Sequence, residues 1–218
     1  DTVTAPTLTR EGWTFNGWVG EDSKLVYGPG VTFSASKDLT LYASWTQNEY
    51  RIIYMVNGDK VHESSVKHFG DNISDDDKYT GTPELTGHTF GGWYDNIGCT
   101  GDKYTYPDTM PASDIVLYAK MTPNTYTATF YVDDEVYGDP VYVTYGQPIP
   151  APADPYKVGY NFTGWDTDLT HMPAEDITIN ANFSAINFAV TLKVNGAVWR
   201  TVEVPCGADI NSSIEEYT

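Results

Sequence analysis

His62-Glu63 opens the pattern of a zinc-peptidase helix, in which a second histidine one turn later completes the metal pair and the glutamate serves as general base. Position 66 is Val66, so the second ligand is missing and that chemistry is excluded. His68, His88 and His171 stand at unrelated points of the chain and match no ligand spacing, so they read as surface or half-buried residues. Asp75-Asp76-Asp77 offers the hard oxygen ligands that calcium prefers but lacks the alternating spacing of a calcium loop. Acids in the first turn of a helix favour its dipole, and the run reads as a helix start. Cys99 and Cys206 match neither a metal-ligand spacing nor a disulfide framework, and their redox state stays open. There is no Gly-x-Ser-x-Gly elbow, phosphate-binding loop or dinucleotide fingerprint, and Gly28-Pro29-Gly30 is a turn. No catalytic, cofactor-binding or metal-binding residue is assigned, and the binding residues are left unknown.

One chemistry survives this filter. Aromatic residues make up 14% of the chain, and flat rings stack on sugars and mark contact surfaces when exposed. Trp18, Trp93 and Trp165 recur in register, as core residues do. Trp13 and Trp199 do not, and are candidates for glycan contact or for a partly buried edge position.

The elements that would position such residues come from composition and repetition. The apolar fraction is 40% and is rich in Tyr, Val, Ile, Phe and Trp, which suit half-buried pleated strands. Twelve basic against thirty acidic residues give a formal charge of −18, which repels phosphate backbones and anionic lipid heads. Nucleic acid and membrane insertion are thereby excluded as expectations. No apolar run approaches the ~20 residues of a membrane-spanning helix. The chain opens on Asp1 without a basic, apolar leader, as a mature or excised piece does. Asn-x-Ser/Thr triplets at Asn72, Asn161, Asn182 and Asn211 are common in chains of this composition.

A fixed repeat governs the sequence. Gly12-Trp13-Thr14-Phe15-Asn16-Gly17-Trp18, Gly87-His88-Thr89-Phe90-Gly91-Gly92-Trp93 and Gly159-Tyr160-Asn161-Phe162-Thr163-Gly164-Trp165 share one motif, with tryptophans 75 and 72 residues apart. Each is followed by a strand-like run introduced by Asp38, Asp114 or Asp176. Its period of two places Leu39, Leu41 and Ala43, with their counterparts, on one buried face. Met110-Pro111-Ala112 and Met172-Pro173-Ala174 lead into two of these runs. Ahead of each tryptophan motif the expected element is a hairpin, turning at Asn57-Gly58, Asp133-Asp134 and Asn195-Gly196, where both turn residues must accept positive φ. A second strand ends at a Gly-x-x-Ile step, and Ser74-x-x-Asp77 and Ser212-x-x-Glu215 resemble capping boxes that start a short helix. In the third copy Pro148 to Pro155 breaks that helix. A hairpin-like insertion is expected after Trp18 and Trp93, around Tyr27 to Gly30 and Tyr104 to Asp108.

Hairpin, short helix, tryptophan strand and closing strand follow one another in the order of a β-grasp. The expected fold class is therefore β-rich α+β, as tandem small ubiquitin-like modules. The expected divisions are 1–47, the back half of a module; 48–122, a complete one; 123–185, a complete shorter one; and 186–218, a front half. Links of only a few residues imply a semi-rigid string. Pro6 and Leu8 match Pro83 and Leu85, and Tyr217-Thr218 match Tyr79-Thr80, so the two end halves complement each other. Two expectations follow from that match: a second copy completes the module head to tail and builds a filament, or the chain is one window of a longer repeat polypeptide.

The combination of these motifs resembles the Listeria–Bacteroides repeat, the B-repeat module of internalin proteins, over essentially the whole chain. Met121 and Phe183 stand where that pattern closes on Trp, and His88 replaces its first aromatic residue. The resemblance implies a β-grasp fold in secreted or wall-anchored bacterial surface proteins, serving as spacer, stalk or adhesion repeat without catalysis or cofactor. The partners it leaves are neighbouring repeats, other copies of the chain, or a host or glycan receptor.

Overall fold

The computed structural model describes residues 2–21 and 26–209. In chain order the strands are β1 (Thr2–Thr4), β2 (Trp13–Val19), β3 (Val26–Tyr27), β4 (Thr32–Ser34), β5 (Tyr42–Gln47), β6 (Glu49–Tyr50), β7 (Ile52–Val56), β8 (Asp59–Glu63) and β9 (Lys67–His68). There follow β10 (His88–Tyr94), β11 (Ile115–Pro123), β12 (Thr125–Val132), β13 (Glu135–Val136), β14 (Val141–Thr144), β15 (Tyr160–Trp165), β16 (Ile177–Ala185), β17 (Asn187–Val194) and β18 (Ala197–Pro205). Two compact units divide the chain, Asp1–Leu85 with Thr89–Thr122 and Thr86–His88 with Pro123–Thr218.

Each unit holds one closed core on a mixed sheet. In the first unit the order is β10-β11-β7-β8, with β11 parallel to β7 in the register Ile115↔Ile52 and Leu117↔Tyr54. Alternation buries Ile52, Tyr54, Ile115 and Leu117 on one face, where Met110 joins them and Trp93, Tyr79 and Tyr106 close the rim. The second unit repeats the arrangement. There β16 runs parallel to β12 with Ile177↔Ala128 and Ile179↔Phe130, β15 lies outside β16, and β13 and β14 pair with β12. Ala128, Phe130, Val143, Ile149, Met172 and Ile179 form its core, with Trp165 packed against it.

The hairpin turns take the conformation read from the sequence. Asn57 and Gly58, Asp133 and Asp134, and Asn195 and Gly196 all have positive φ, the requirement of a type I′ turn. Ahead of each repeated tryptophan, Gly17, Gly92 and Gly164 lie at φ +122, +126 and +124. The ladders of β2 on β5 and β15 on β16 shift register at this step, between Phe15 and Gly17 and between Phe162 and Gly164. The glycine of the Gly-Trp step is thus a bulge residue that a side chain could occupy only with strain.

Two expectations need correction. The helical part of the expected α+β fold shrinks to a single 3-10 turn at Asp75–Asp77, and no α-helix occurs among the described residues. Ser74 N and Oγ both donate to Asp77 Oδ2 at 2.8 Å, closing the box around three residues, and Lys78 returns to extended backbone. The second expected box, Ser212 to Glu215, lies outside the described residues. The insertion after Trp18 is a hairpin, β2 on β3. After Trp93 it carries no strand: Asn96 Oδ1 accepts from the Thr100 N–H, Tyr104 N–H donates to Trp93 O, and Asn72 bridges to Thr109. A local side-chain bond such as that of Asn96 offers the backbone an alternative to a ladder.

Candidate functional site

The residues singled out for chemistry are occupied with packing. His62 packs at a tilt against both Tyr54 and Tyr79, and His88 meets Tyr145 edge to face with its Nδ1 2.8 Å from Thr86 O. His68 Nδ1 lies 3.4 Å from Asp71, while His171 contacts the Thr170 hydroxyl. In the acidic run, Asp75 pairs with Lys78 at 2.8 Å and Asp77 with Lys67 at 2.7 Å. Burial pushes the Asp77 carboxyl up, but hydrogen bonds from Lys67 and Ser74 outweigh it and hold the group below the usual carboxylate range. Among the described residues no three His, Cys, Asp or Glu side chains converge as metal ligands. Cys99 and Cys206 are free thiols, both partly buried. Tyr54 and Tyr106 hydroxyls meet at 2.8 Å, and burial together with this bond raises the Tyr106 phenol well above its ordinary value.

Trp13 lies half-buried with the Arg10 guanidinium 4.2 Å above its ring. Trp199 is 60% exposed on β18, so of the two it presents a free ring face.

Where one copy of the repeat gives way to the next, the same construction recurs. A single residue links the strands, Asn48 between β5 and β6 and Ile186 between β16 and β17. Its N–H donates to the first glycine of the preceding tryptophan motif, Asn48 to Gly12 at 2.9 Å and Ile186 to Gly159 at 2.8 Å. Those glycines have φ +75 and +81, and a Cβ on them would run into Phe69 and Cys206. Both residues precede the glycine of a Gly-x-x-Ile step, so one copy's tryptophan motif seats directly on the next copy's hairpin. Within the second unit, Gly87 O accepts from Asn124 N and faces the Tyr145 ring in the same way.

The remaining site is an open face. In β11 and β16 the closing strand starts right after its aspartate, and each aspartate accepts a backbone N–H from the parallel neighbour: Arg51 to Asp114 at 2.8 Å, Thr127 to Asp176 at 2.7 Å. In the first copy β5 starts only at Tyr42, and Asp38 to Leu41 lie outside any strand. Its sheet has the order β3-β2-β5, which leaves β5 at the edge. The sequence expectation that Leu39 is buried like its counterparts is therefore not met. Leu39 is 37% exposed, against 6% for Ile115. Trp18, anchored by its Nε1 on Pro6 O at 2.8 Å, faces an apolar cavity of about 150 Å³ lined by Val3, Ala5, Pro6, Trp18, Phe33 and Leu41.

The sequence pattern of the Listeria–Bacteroides repeat domain matches residues 1–44, 50–120 and 126–187. The chain belongs to the Listeria–Bacteroides repeat family. Among relatives, internalin H of Listeria monocytogenes is 33% identical over 84% of this chain and 33% of its own length. Two proteins of Evansella cellulosilytica are similar as well. One, described as a Gly-rich membrane protein, is 30% identical over 87% of this chain and 23% of its own length. The other, described as a membrane protein, is 29% identical over 83% of this chain and 28% of its own length. The chain thus spans about a quarter to a third of the length of these relatives.

For a Listeria–Bacteroides repeat the recurring positions now have physical roles: a bulge glycine, a tryptophan over the core, an aspartate that starts the closing strand and a glycine that receives the next copy. The junction glycine and the aspartate cap were missed by sequence reasoning. Their signal was present, since Gly12, Gly87 and Gly159, and Asp38, Asp114 and Asp176, recur without exception. Among the described residues no helix is long and apolar enough to cross a membrane.

Proposed function

We propose that this chain is a non-catalytic stretch of β-grasp modules in a secreted or wall-anchored bacterial surface protein, where it acts as a spacer or stalk. The observation that carries this reading is where the repeat spends its invariant residues. Gly12 and Gly159 serve the joints, Trp93 and Trp165 the cores, and Asp114 and Asp176 the strand starts. Such positions specify how copies stack, which is what a repeat array needs in order to hold other parts of a protein at a distance. The strand order, with first and last strands parallel at the centre of each mixed sheet, supports β-grasp modules with the helix reduced to one turn or lost. The module limits we propose are those of the sequence reading: 1–47, 48–122, 123–185 and 186–218. Membership of the repeat family and kinship with an internalin support the surface location.

The test is replacement within the full-length surface protein. An unrelated rigid repeat array of equal length should preserve the display and function of the domains it separates, whereas deletion should impair them. Loss of function with the substitute array would overturn the spacer reading in favour of adhesion by these repeats themselves.

One observation favours a second reading. The Trp199 ring, 60% exposed beside the exposed Val198, is a surface on which a sugar could stack. Electrophoresis through glycan-containing gels should then be retarded, with Trp199→Ala restoring mobility; equal migration in every gel would eliminate it.

A further inference from the structure

Two asparagines of the first unit precede a glycine, Asn16 and Asn57, and the fold treats them oppositely. Asn16 lies within β2, where its Nδ2 donates to Thr46 Oγ1 at 2.8 Å and Gly17 is buried against Tyr27 O. Asn57 stands at the exposed tip of the β7–β8 hairpin. The ladder closes at Val56↔Asp59, so the Gly58 N–H lies outside it. Among the described residues no hydrogen bond or ion pair holds the Asn57 side chain. A Cβ on Gly58 would meet nothing within 4 Å, so no neighbouring side chain shields the turn. A freely rotating carboxamide thus adjoins a main-chain nitrogen with no side chain beside it and no ladder bond. From this juxtaposition we infer that Asn57-Gly58 is a site of self-modification, at which the Gly58 backbone converts Asn57 into aspartate and isoaspartate. The substrate is the chain itself and the co-reactant is water, so the inference goes beyond the spacer reading and does not depend on it.

The reaction runs in two steps. Hydroxide removes the Gly58 amide proton, and the nitrogen attacks Asn57 Cγ. The new N–Cγ bond forms as Cγ–Nδ2 breaks, and Nδ2 leaves as ammonia with a proton from water. Water then opens the five-membered imide at either carbonyl, which gives aspartate on the original backbone or isoaspartate, whose backbone runs through the side chain. Hydrolysis of the imide does not restore the amide, so the product accumulates with the age of the chain. The next copy already carries an acid at this turn position, Asp133, in contact with Lys157. Alignment of Gly87 with Gly159 puts Leu85 in the place of Lys157, so a carboxylate at position 57 lacks that cation. Isoaspartate also adds one backbone carbon to a two-residue loop. Loop length fixes hairpin register, so the Val56↔Asp59 pair no longer closes in its original geometry.

Peptide mass mapping of the 218-residue chain, aged at mildly alkaline pH in folded form and in urea, tests this. In the folded chain the Asn57 peptide should gain one mass unit and split into aspartyl and isoaspartyl forms, at a rate proportional to hydroxide. Asn16 should stay unconverted there and react only in urea, where both pairs are equally free. Asn195-Gly196 forms the same turn, but Asn57 sits beside a closed core and is therefore the position read. Gly58→Ala, whose methyl group enters open space next to the nitrogen, should slow conversion severalfold in both samples, the one in urea being free of any folding defect. Asn57 that stays intact when folded but converts in urea overturns the proposal, because the turn then protects the pair. Equal conversion of Asn57 and Asn16 in the folded chain overturns it as well, because the dipeptide and not its placement then decides. An unchanged rate in Gly58→Ala would overturn the role of the Gly58 nitrogen in favour of direct hydrolysis by solvent.

Discussion

Asp77 carries its charge in a nearly closed setting, with Lys67 at 2.7 Å and the Ser74 hydroxyl and N–H at 2.8 Å. Its carboxyl, like that of Asp166 held by Asn180, lies below the usual carboxylate range despite the opposing effect of burial. A group depressed in the folded state is protonated more readily by the unfolded chain in acid. Its contribution is therefore present above the ordinary carboxylate value and is lost as pH falls through the folded one. Asp77→Asn should cost about 2 kcal/mol at neutral pH, the range for hydrogen bonds to a charged group. It should also flatten the acid limb of a stability–pH profile from urea titrations; an unchanged limb would show that the charge is not coupled to folding. Trp93 is half-buried and meets Tyr54, Tyr79 and Phe90 within 6 Å of its ring centre. Trp93→Ala should destabilise the first unit's core by about 3 kcal/mol, the low end for a buried aromatic. A cost under ~1 kcal/mol would move the ring to the list of free surfaces.

At the scale of the element, the turns offer the cleanest comparison, because three hairpins share one geometry and differ in chemistry. Asp134 stands at φ +67 where the other two turns have glycine. Asp133 contacts Lys157, so the second position is the one to alter. Asp134→Gly should stabilise the second unit by about 0.5 kcal/mol through relief of a left-handed backbone, read as a higher denaturant midpoint with unchanged slope. These turns were legible because Asn-Gly and Asp-Asp sit between alternating apolar runs, a short-range signal that tertiary context rarely overturns. The closing strands β11 and β16 were legible for the same reason. The helix was not, since Ser74 and Asp77 satisfy each other within one turn and no apolar stripe follows to reward a longer one. Nor was the bulge at Gly17 and Gly164, although an isolated glycine inside a strand pattern is its usual sign. The open edge of β5 depends on which strand is absent beside it, and no local pattern in Asp38 to Leu41 records that.

At the scale of the whole molecule, the two closed cores share no buried residue, and each is completed by its own first and last strands. Thermal unfolding should therefore depart from a single two-state transition, with a calorimetric enthalpy that exceeds the van't Hoff value. Equality of the two would contradict the modular reading. The parallel seam at the centre of each core has one more effect. The polypeptide enters a core through β7 or β12 and leaves it through β11 or β16, and these strands lie side by side pointing the same way. Stretching the chain from its ends therefore draws the pair in opposite directions along their common seam. All the bonds across that seam resist at once, whereas a hairpin such as β7–β8 would unzip one rung at a time. Single-molecule pulling should show a separate abrupt rupture for each core, at forces well above those for peeling β17 from β18. What holds the core together chemically thus also sets how hard the array can be tugged before a link gives way.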